Sequence, residues 1–417
     1  MISLTIIGGL FLAYVIFVIF FTPRINYHIP GPLDAHSDEF LHTLLSTCQV
    51  GLHLQNRVDV LTDGTSFYPA ILDAISRARS SVTLENYIFR PGTIGDRFID
   101  ALTERARAGI PVRITVDAVG SVRLRGDPLG RLLKAGCQVV KYQGVKWYTL
   151  ARLNNRTHRE LFIIDGKVAF TGGAGIADWW IRKTDKGSAW RDTIARIEGP
   201  IVATLQGVFA ENWLESCGEI ITGRSLFPQL EPAGSTPALL VKSSPSDRVT
   251  TERVAFQMLI QGARKVLQIS TPYFLPDQTL REAFVETARR GVRIQVIVPG
   301  RRTDQRWVRV ASRRMWGTML AAGVQIYEYE PAMTHAKVLI VDDLWSILGT
   351  TNLDNRSFEH NDEVNIAMRD PAIARRLRED FERDLGSSKL MTYAAWKERP
   401  LWERTLDLFA WILERQQ

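Results

Sequence analysis

The chain repeats itself, and no other feature constrains its fold as much. THRELFIIDGKVAFTGGAG at 157–175 and THAKVLIVDDLWSILGTTN at 334–352 align without a gap at a constant offset of 177. His158 falls on His335, Glu160 on Lys337, Asp165 on Asp342 and Gly172 on Gly349. Upstream, VTLENYIF (82–89), ALTERARAG (101–109), VRITVDAVG (112–120) and LLKAGCQVVKY (132–142) recur as LQISTPYF, EAFVETARRG, VRIQVIVPG and MLAAGVQIYEY between 267 and 329. A chain that says the same thing twice builds two copies of one unit. Within each copy, strand-length apolar runs alternate with helical periodicity. That alternation predicts an α/β fold of two pseudo-repeated αβα lobes with mixed, largely parallel sheets. The lobes are expected at 59–228 and 239–387, with the Pro/Gly/Ser-rich stretch QLEPAGSTPAL between them and a connector at 24–58 before them.

The ends differ from this body. Residues 1–23 carry no charged side chain, and Ile2–Phe21 as a helix would be about 30 Å long, which matches a bilayer core. A signal peptide would want a basic start, a shorter apolar run and small residues at a cut. An uncleaved single-pass transmembrane anchor is therefore expected, and Arg24 after it points to a cytoplasmic catalytic region. Residues 394–417 read as an amphipathic C-terminal helix, suited to a membrane interface or to the protein's own core. Charge is modest, 52 − 45 = +7, and fits an anionic partner. Three widely spaced cysteines offer neither a disulfide framework nor a zinc site.

The third repeated segment carries the chemistry. His335 and Lys337 lie two apart at the start of an apolar strand and share one face. An imidazole beside an ammonium suits a phosphate, one group transferring a proton or the phosphoryl and the other neutralising oxygens. A lysine between candidate ligands repels a metal ion, so no metal and no cofactor are expected. About ten residues inserted before the first copy's motif, QGVKWYTLAR at 143–152, form a basic, aromatic loop that is either a substrate contact or plain surface.

The doubled HxKxxxxD pattern, with TPYFLPD (271–277), WRDT (190–193) and GTTNLDNRSFEHNDEVN (349–365), resembles the phospholipase D superfamily, and bacterial cardiolipin synthases within it. The resemblance covers roughly 59–386. It implies one active site between the lobes, with His158 as nucleophile and His335 as acid/base through a phosphohistidine. It further implies Asp192 and Glu363 as acids orienting the histidine of the preceding motif, and Thr350 and Asn352 as phosphoryl-oxygen donors. Lys337, Asp165 and Asp342 complete the motifs, the two aspartates supporting their strands from behind. Its implied substrate is an anionic phospholipid, phosphatidylglycerol, two of which give cardiolipin and glycerol; hydrolysis by the same intermediate is the alternative. The membrane segment and the lack of a dense basic stripe argue against nucleic acid.

The first motif departs from that pattern, with Glu160 in place of lysine and Gly175 opposite Asn352. At about 4 Å and an effective dielectric near 20, each charge–phosphate term is worth roughly 4 kcal/mol. Glu160 is expected to pair with Arg156, Arg159 or Arg191, to bind a substrate hydroxyl or amine, or to weaken the first half-site into a lipid-binding relic.

Overall fold

The computed structural model describes residues 26–144, 155–183, 188–245 and 251–399, together with Gly8, Gly9, Phe11 and Tyr14. The expected anchor (apart from those four residues), most of the 143–152 insert and residues 400–417 of the expected terminal helix lie outside the described residues. Among the described residues, no helix is long and apolar enough to cross a membrane.

The first copy contributes β1 (Leu52–Thr62), β2 (Val82–Asn86), β3 (Val112–Asp117), β4 (Gln138–Tyr142), β5 (Arg156–Thr157), β6 (Leu161–Ile164), β7 (Val168–Gly172) and β8 (Thr193–Glu198). The second contributes β9 (Thr236–Ser243), β10 (Val266–Ser270), β11 (Phe274–Leu275), β12 (Arg293–Pro299), β13 (Gln325–Tyr329), β14 (Val338–Val341), β15 (Trp345–Gly349), β16 (Leu353–Asp354), β17 (Asn361–Arg369) and β18 (Ser388–Met391). Order in the first half is β1-β8-β7-β6-β2-β3-β4, and in the second β9-β17-β15-β14-β10-β12-β13-β18. The first seven strands of the two orders match one for one, β18 adding an edge strand to the second half, and antiparallel pairing of β1 with β9 fuses them into one sheet.

The sheet is mixed, but the expectation that it is largely parallel is corrected. Only β2-β3-β4 and β10-β12-β13 run parallel within it, apart from the short β5–β17 pair; the remaining ladders are antiparallel. The cause is local. Ile164-Asp165-Gly166-Lys167 is a tight turn, closed by Lys167 N–H donating to Ile164 O at 3.0 Å, with φ of 56° and 61° at its centre. Val341-Asp342-Asp343-Leu344 repeats it with φ of 54° at both central residues. Two adjacent left-handed residues make a hairpin turn whose twist suits antiparallel strands, so each motif strand folds back instead of crossing over.

Helices cover both faces. α1 (Asp38–Cys48) lies in the expected connector, and β1 starts before that connector was expected to end. α2 (Gly64–Ser76), α3 (Thr93–Arg107) and α4 (Asp127–Lys134) follow in the first half, then α5 (Ile201–Cys217). In the second half come α6 (Thr251–Gly262), α7 (Gln278–Arg289), α8 (Arg306–Ala321), α9 (Asn355–Glu359), α10 (Pro371–Leu385) and α11 (Tyr393–Lys397). β18 pairs with β13 and the Trp396 indole donates to Arg313 O at 2.6 Å, so the second half runs past residue 387. One core belongs to the first half alone (Phe67, Ile71, Phe98, Phe162) and one to the second with α1 (Phe40, Leu259, Phe284, Trp345). A third spans both, packing Leu205, Phe209 and Phe381 on Ile163, Ile197, Ile340 and Ile366. At about 1.5–3 kcal/mol per fully buried large apolar side chain, that shared core holds the halves in one register.

The motif aspartates belong to this scaffold. Asp165 accepts backbone N–H bonds from Arg79, Ser80 and Ser81 at 2.7–3.0 Å, just before β2. Asp342 does the same for Arg264, Lys265 and Val266 at 2.7–2.8 Å, just before β10. Each lies seven residues from its histidine, roughly 20 Å along a strand rising about 3.3 Å per residue. Their place among catalytic residues is therefore corrected: they staple the turn to the neighbouring strand, as expected of supports from behind. Asp342→Ala is expected to lower stability by about 2–3 kcal/mol with kcat within a few-fold of the parent. Denaturant titration beside steady-state kinetics checks this.

Candidate active site

His158 and His335 stand at the seam between the halves, and each is held by the opposite half. The His335 amide donates to Arg191 O at 2.7 Å, while the His158 amide donates to Asp362 O at 2.9 Å. β5 pairs with the start of β17, and Arg191 bridges Thr334 in the equivalent position. The next residue along each docking strand is an acid. Glu363 therefore accepts from His158 Nδ1 at 2.9–3.0 Å, and Asp192 accepts from His335 Nδ1 at 3.1 Å. The expectation that each acid serves the preceding motif's histidine is corrected, because the pairs are crossed between copies. A carboxylate on Nδ1 fixes the tautomer and leaves Nε2 for chemistry. The His158 side chain keeps 14% exposure and that of His335 8%, as in a cleft.

The surroundings of the two pairs differ. Asp192 accepts the Trp180 indole N–H at 2.9 Å, and Trp180 and Trp190 both pack on the His335 ring. Glu363 accepts instead from the Thr350 hydroxyl at 2.5 Å and from Asn361 Nδ2 at 3.1 Å, and Tyr87 packs edge-on against His158. Thr350 is thus corrected from phosphoryl donor to carboxylate support, since it is buried and its only O–H is committed. Asn352 is buried with its Oδ1 unpartnered; a phosphoryl oxygen would be met by its other end, the Nδ2 donor. Beneath Glu363, buried Glu252 accepts from Thr351 and Asn365, and burial raises its carboxyl well above the ordinary range. Neither Trp180 nor Glu252 was visible as a site residue, since both lie outside the repeated motifs.

Lys337 sets the charge. Its Nζ donates to His335 O at 2.8 Å and lies over the imidazole, 2.9 Å from Nδ1 and 3.1 Å from Nε2. Burial lowers its pKa to about 8, against the attraction of Asp192, Glu363 and Glu160. All three carboxyls, one of them the His158 partner, are therefore near this one ammonium. Burial and the Lys337 charge also hold His335 below the ordinary imidazole range, with Asp192 opposing.

Glu160 makes no ion pair among the described residues, which corrects the expectation of a cationic partner. Arg159 goes to Glu211 and Asp362, Arg191 to Asp384, Asp380 and Asp63, and Arg156 lies 3.6 Å from Asp117. The Glu160 carboxyl instead bonds Asn86 Nδ2 and accepts Ile88 N–H at 3.2 Å. Burial raises its pKa well above the carboxylate range, against the Asn86 and Ile88 hydrogen bonds and the nearby Lys337 charge, so the site disfavours its ionised form. A Cβ on Gly175 would sit 2.7 Å from Glu160 Oε1, so the carboxyl fills the space left where the other copy has Asn352. The two departures in the first motif are one change in space. Glu160→Gln is expected within about 1 kcal/mol of the parent, because Asn86 Oδ1 is unpartnered and can accept an N–H after an amide flip. Glu160→Lys buries an ammonium that meets the Asn86 and Ile88 N–H donors and lies near the Lys337 charge, and is expected to cost about 2–4 kcal/mol and lower turnover. Thermal melts and kcat of both variants check this.

Among the described residues, no group of three His, Cys, Asp or Glu side chains could hold a metal ion. The family model described as "Cardiolipin synthase, PLD-like domain" matches residues 71–213 and 257–385, one match for each half. The chain belongs to this family. It is 31% identical over 380 residues to a protein named probable cardiolipin synthase YwiE of Bacillus subtilis, covering 91% of this chain and 76% of that one. With the cardiolipin synthase of Alkalihalophilus pseudofirmus it shares 34% identity over 359 residues, 85% of this chain and 71% of the relative. The crystal structure of phosphatidylserine synthase from Haemophilus influenzae superposes with a TM-score of 0.68 at 14% identity, over 91% of this chain and 98% of the other. At that identity the likeness shows the fold.

Proposed function

We propose that the chain is a membrane-anchored phosphatidyltransferase that converts two phosphatidylglycerol molecules to cardiolipin and glycerol. The observation that carries the reading is the crossed pair of histidine–carboxylate dyads around one buried ammonium, in a member of the cardiolipin synthase family. In the first step, Nε2 of one neutral imidazole bonds to phosphorus, and the bond from phosphorus to the glycerol oxygen breaks. The second histidine, as imidazolium, gives its proton to that oxygen. The same imidazole then takes the proton of an incoming hydroxyl, whose oxygen bonds to phosphorus and releases the first histidine. Lys337 neutralises the non-bridging oxygens, and Asn352 bonds one of them. Residues 1–23 anchor the enzyme, with the catalytic region on the cytoplasmic side.

The resemblance assigns the nucleophile to His158. Burial and the Lys337 charge disfavour the imidazolium of His335, which suits that ring to the opposite division, attack on phosphorus in the neutral form. Acid-quenched turnover followed by peptide mass spectrometry locates the phosphohistidine and decides between them. Purified protein given phosphatidylglycerol is expected to yield cardiolipin and glycerol in equal amounts. Phosphatidic acid as main product would mean hydrolysis, and no product would sink the enzymatic reading.

The Lys337 ammonium gives a pH prediction. With its pKa near 8, the cation is present below that pH and lost above it, so kcat/KM is expected to fall about tenfold per unit on the alkaline side. The same depression acts oppositely on folding, since the unfolded lysine binds its proton more tightly. This group's contribution to stability therefore rises from about pH 8 toward its ordinary pKa near 10.4. A pH–rate profile lacking that limb in Lys337→Met would identify the group.

A further inference from the structure

Two loops at the histidine end of the sheet point apolar and basic side chains outward together. The first follows β3 and covers 118–126. Its Asp117 carboxylate accepts the N–H groups of Val119 and Gly120 at 2.8 and 2.9 Å, and the Ser121 hydroxyl donates to Tyr87 O at 2.8 Å. Tyr87 is the ring packed on His158, so this loop is braced against the catalytic cleft. On it Val119 is 49% exposed and Val122 54%, beside exposed Arg123 and Arg125. The second loop follows β12, the strand equivalent to β3. Asp304 there accepts the Tyr273 hydroxyl at 2.7 Å and acts electrostatically on His335 and Lys337. Trp307, 64% exposed, stands at its end with exposed Arg301, Arg302 and Arg306.

Apolar side chains fixed outward by a braced turn gain nothing from water. Among the described residues no carboxylate pairs with any of these five arginines, although exposed Asp127 follows the first loop and exposed Glu330 adjoins Pro331, whose carbonyl accepts from Arg302 at 2.7 Å. We propose that the two loops form a docking surface for an anionic lipid bilayer, with Val119, Val122 and Trp307 inserted at the headgroup boundary and the arginines on lipid phosphates. Apolar wedges beside cations are what such an interface selects, and continuity with both dyads aims the cleft at the membrane. The choice of partner rests on the phospholipid reading; the surface itself does not.

Nitroxide labels on Val122→Cys and Trp307→Cys, each in full-length protein carrying Cys217→Ser, would be read in nanodiscs by collision with oxygen and with a water-soluble nickel complex. Ile220→Cys is the control. Ile220 is 74% exposed but lies at the opposite end of the sheet, where Arg113 at the start of β3 bonds Glu219. In phosphatidylglycerol nanodiscs the first two labels are expected to be oxygen-accessible and nickel-protected, and the third open to nickel. With phosphatidylcholine alone the protection is expected to weaken. Nickel-accessible labels at 122 and 307 in phosphatidylglycerol would overturn the proposal. Equal protection in detergent would do so too, since a second copy or the chain itself would then cover the surface. In kinetics, Val119→Ser/Val122→Ser/Trp307→Ala is expected to raise the KM for vesicle phosphatidylglycerol roughly tenfold or more, with turnover of a monomeric short-chain phosphatidylglycerol unchanged. Loss on both substrates would also count against it. A protein that docks but forms no cardiolipin would defeat the functional reading and leave this one standing.

Discussion

Alanine at either His158 or His335 is expected to lower phosphatidyl transfer by roughly 10⁴-fold or more, and the double variant little further, because groups that act as a unit are not additive. The crossed dyads sharpen this. Asp192→Asn removes the carboxylate from His335 although both acid and tryptophan support come from the other copy, and Glu363→Gln removes it from His158. Each is expected to cost about 10²–10⁴-fold. Single-turnover experiments separate the roles. Losing the nucleophile, or its acid, abolishes formation of the covalent intermediate. Losing the acid/base slows both formation and breakdown, and slows formation least for substrates with a good leaving group, which need no proton. Asp192→Asn should therefore copy His335→Ala in this test, and Glu363→Gln should copy His158→Ala. If Asp192→Asn instead copied His158→Ala, the crossed arrangement would be wrong.

The second large effect falls on a glycine. A Cβ on Gly173 would lie 2.3 Å from Asp192 Oδ1 and 2.6 Å from the His335 carbonyl oxygen. One of those partners is backbone, and the other is held by the Trp180 indole and the Thr193 amide. Neither can retreat without moving the dyad or the strand that docks it. Gly173→Ala is expected to cut kcat by roughly 10²–10³-fold, in the range of a displaced catalytic group. Gly130→Ala in α4, where a Cβ meets nothing within 4 Å, is the matched control and should leave kcat unchanged. Crosslinking or melting data showing Gly173→Ala folded and fully active would contradict the tight seam.

Much of this architecture was legible in the residues. The offset of 177 held because each copy folds to the same strand order, and the motif histidines reached one site because that order is mirrored about β1 and β9. Equivalence in sequence does not reveal partnership in space, however. Asp192 and Glu363 could be matched to each other, but nothing local says that each strand docks on the opposite histidine. The excess of antiparallel pairing was hidden for a similar reason. Asp165-Gly166 is an ordinary hairpin signal, yet the alternation of apolar runs with helices spoke for crossovers. Thr350 was expected as a ligand donor from the resemblance alone, by its place after Gly349; only its contact with Glu363 assigns its proton. Glu160 and Gly175 were visible as separate departures, while their mutual fit needed three dimensions.

The junction between the copies is a pair of hydrogen-bonded strands, not a linker, and that decides how the enzyme can move. β9 is zipped to β1 on one side and β17 on the other, with a common apolar layer behind them. The halves cannot swing apart like jaws to admit a lipid or release a product without tearing a sheet. Traffic must pass through side chains and loops around a reaction centre whose dimensions stay fixed throughout the cycle.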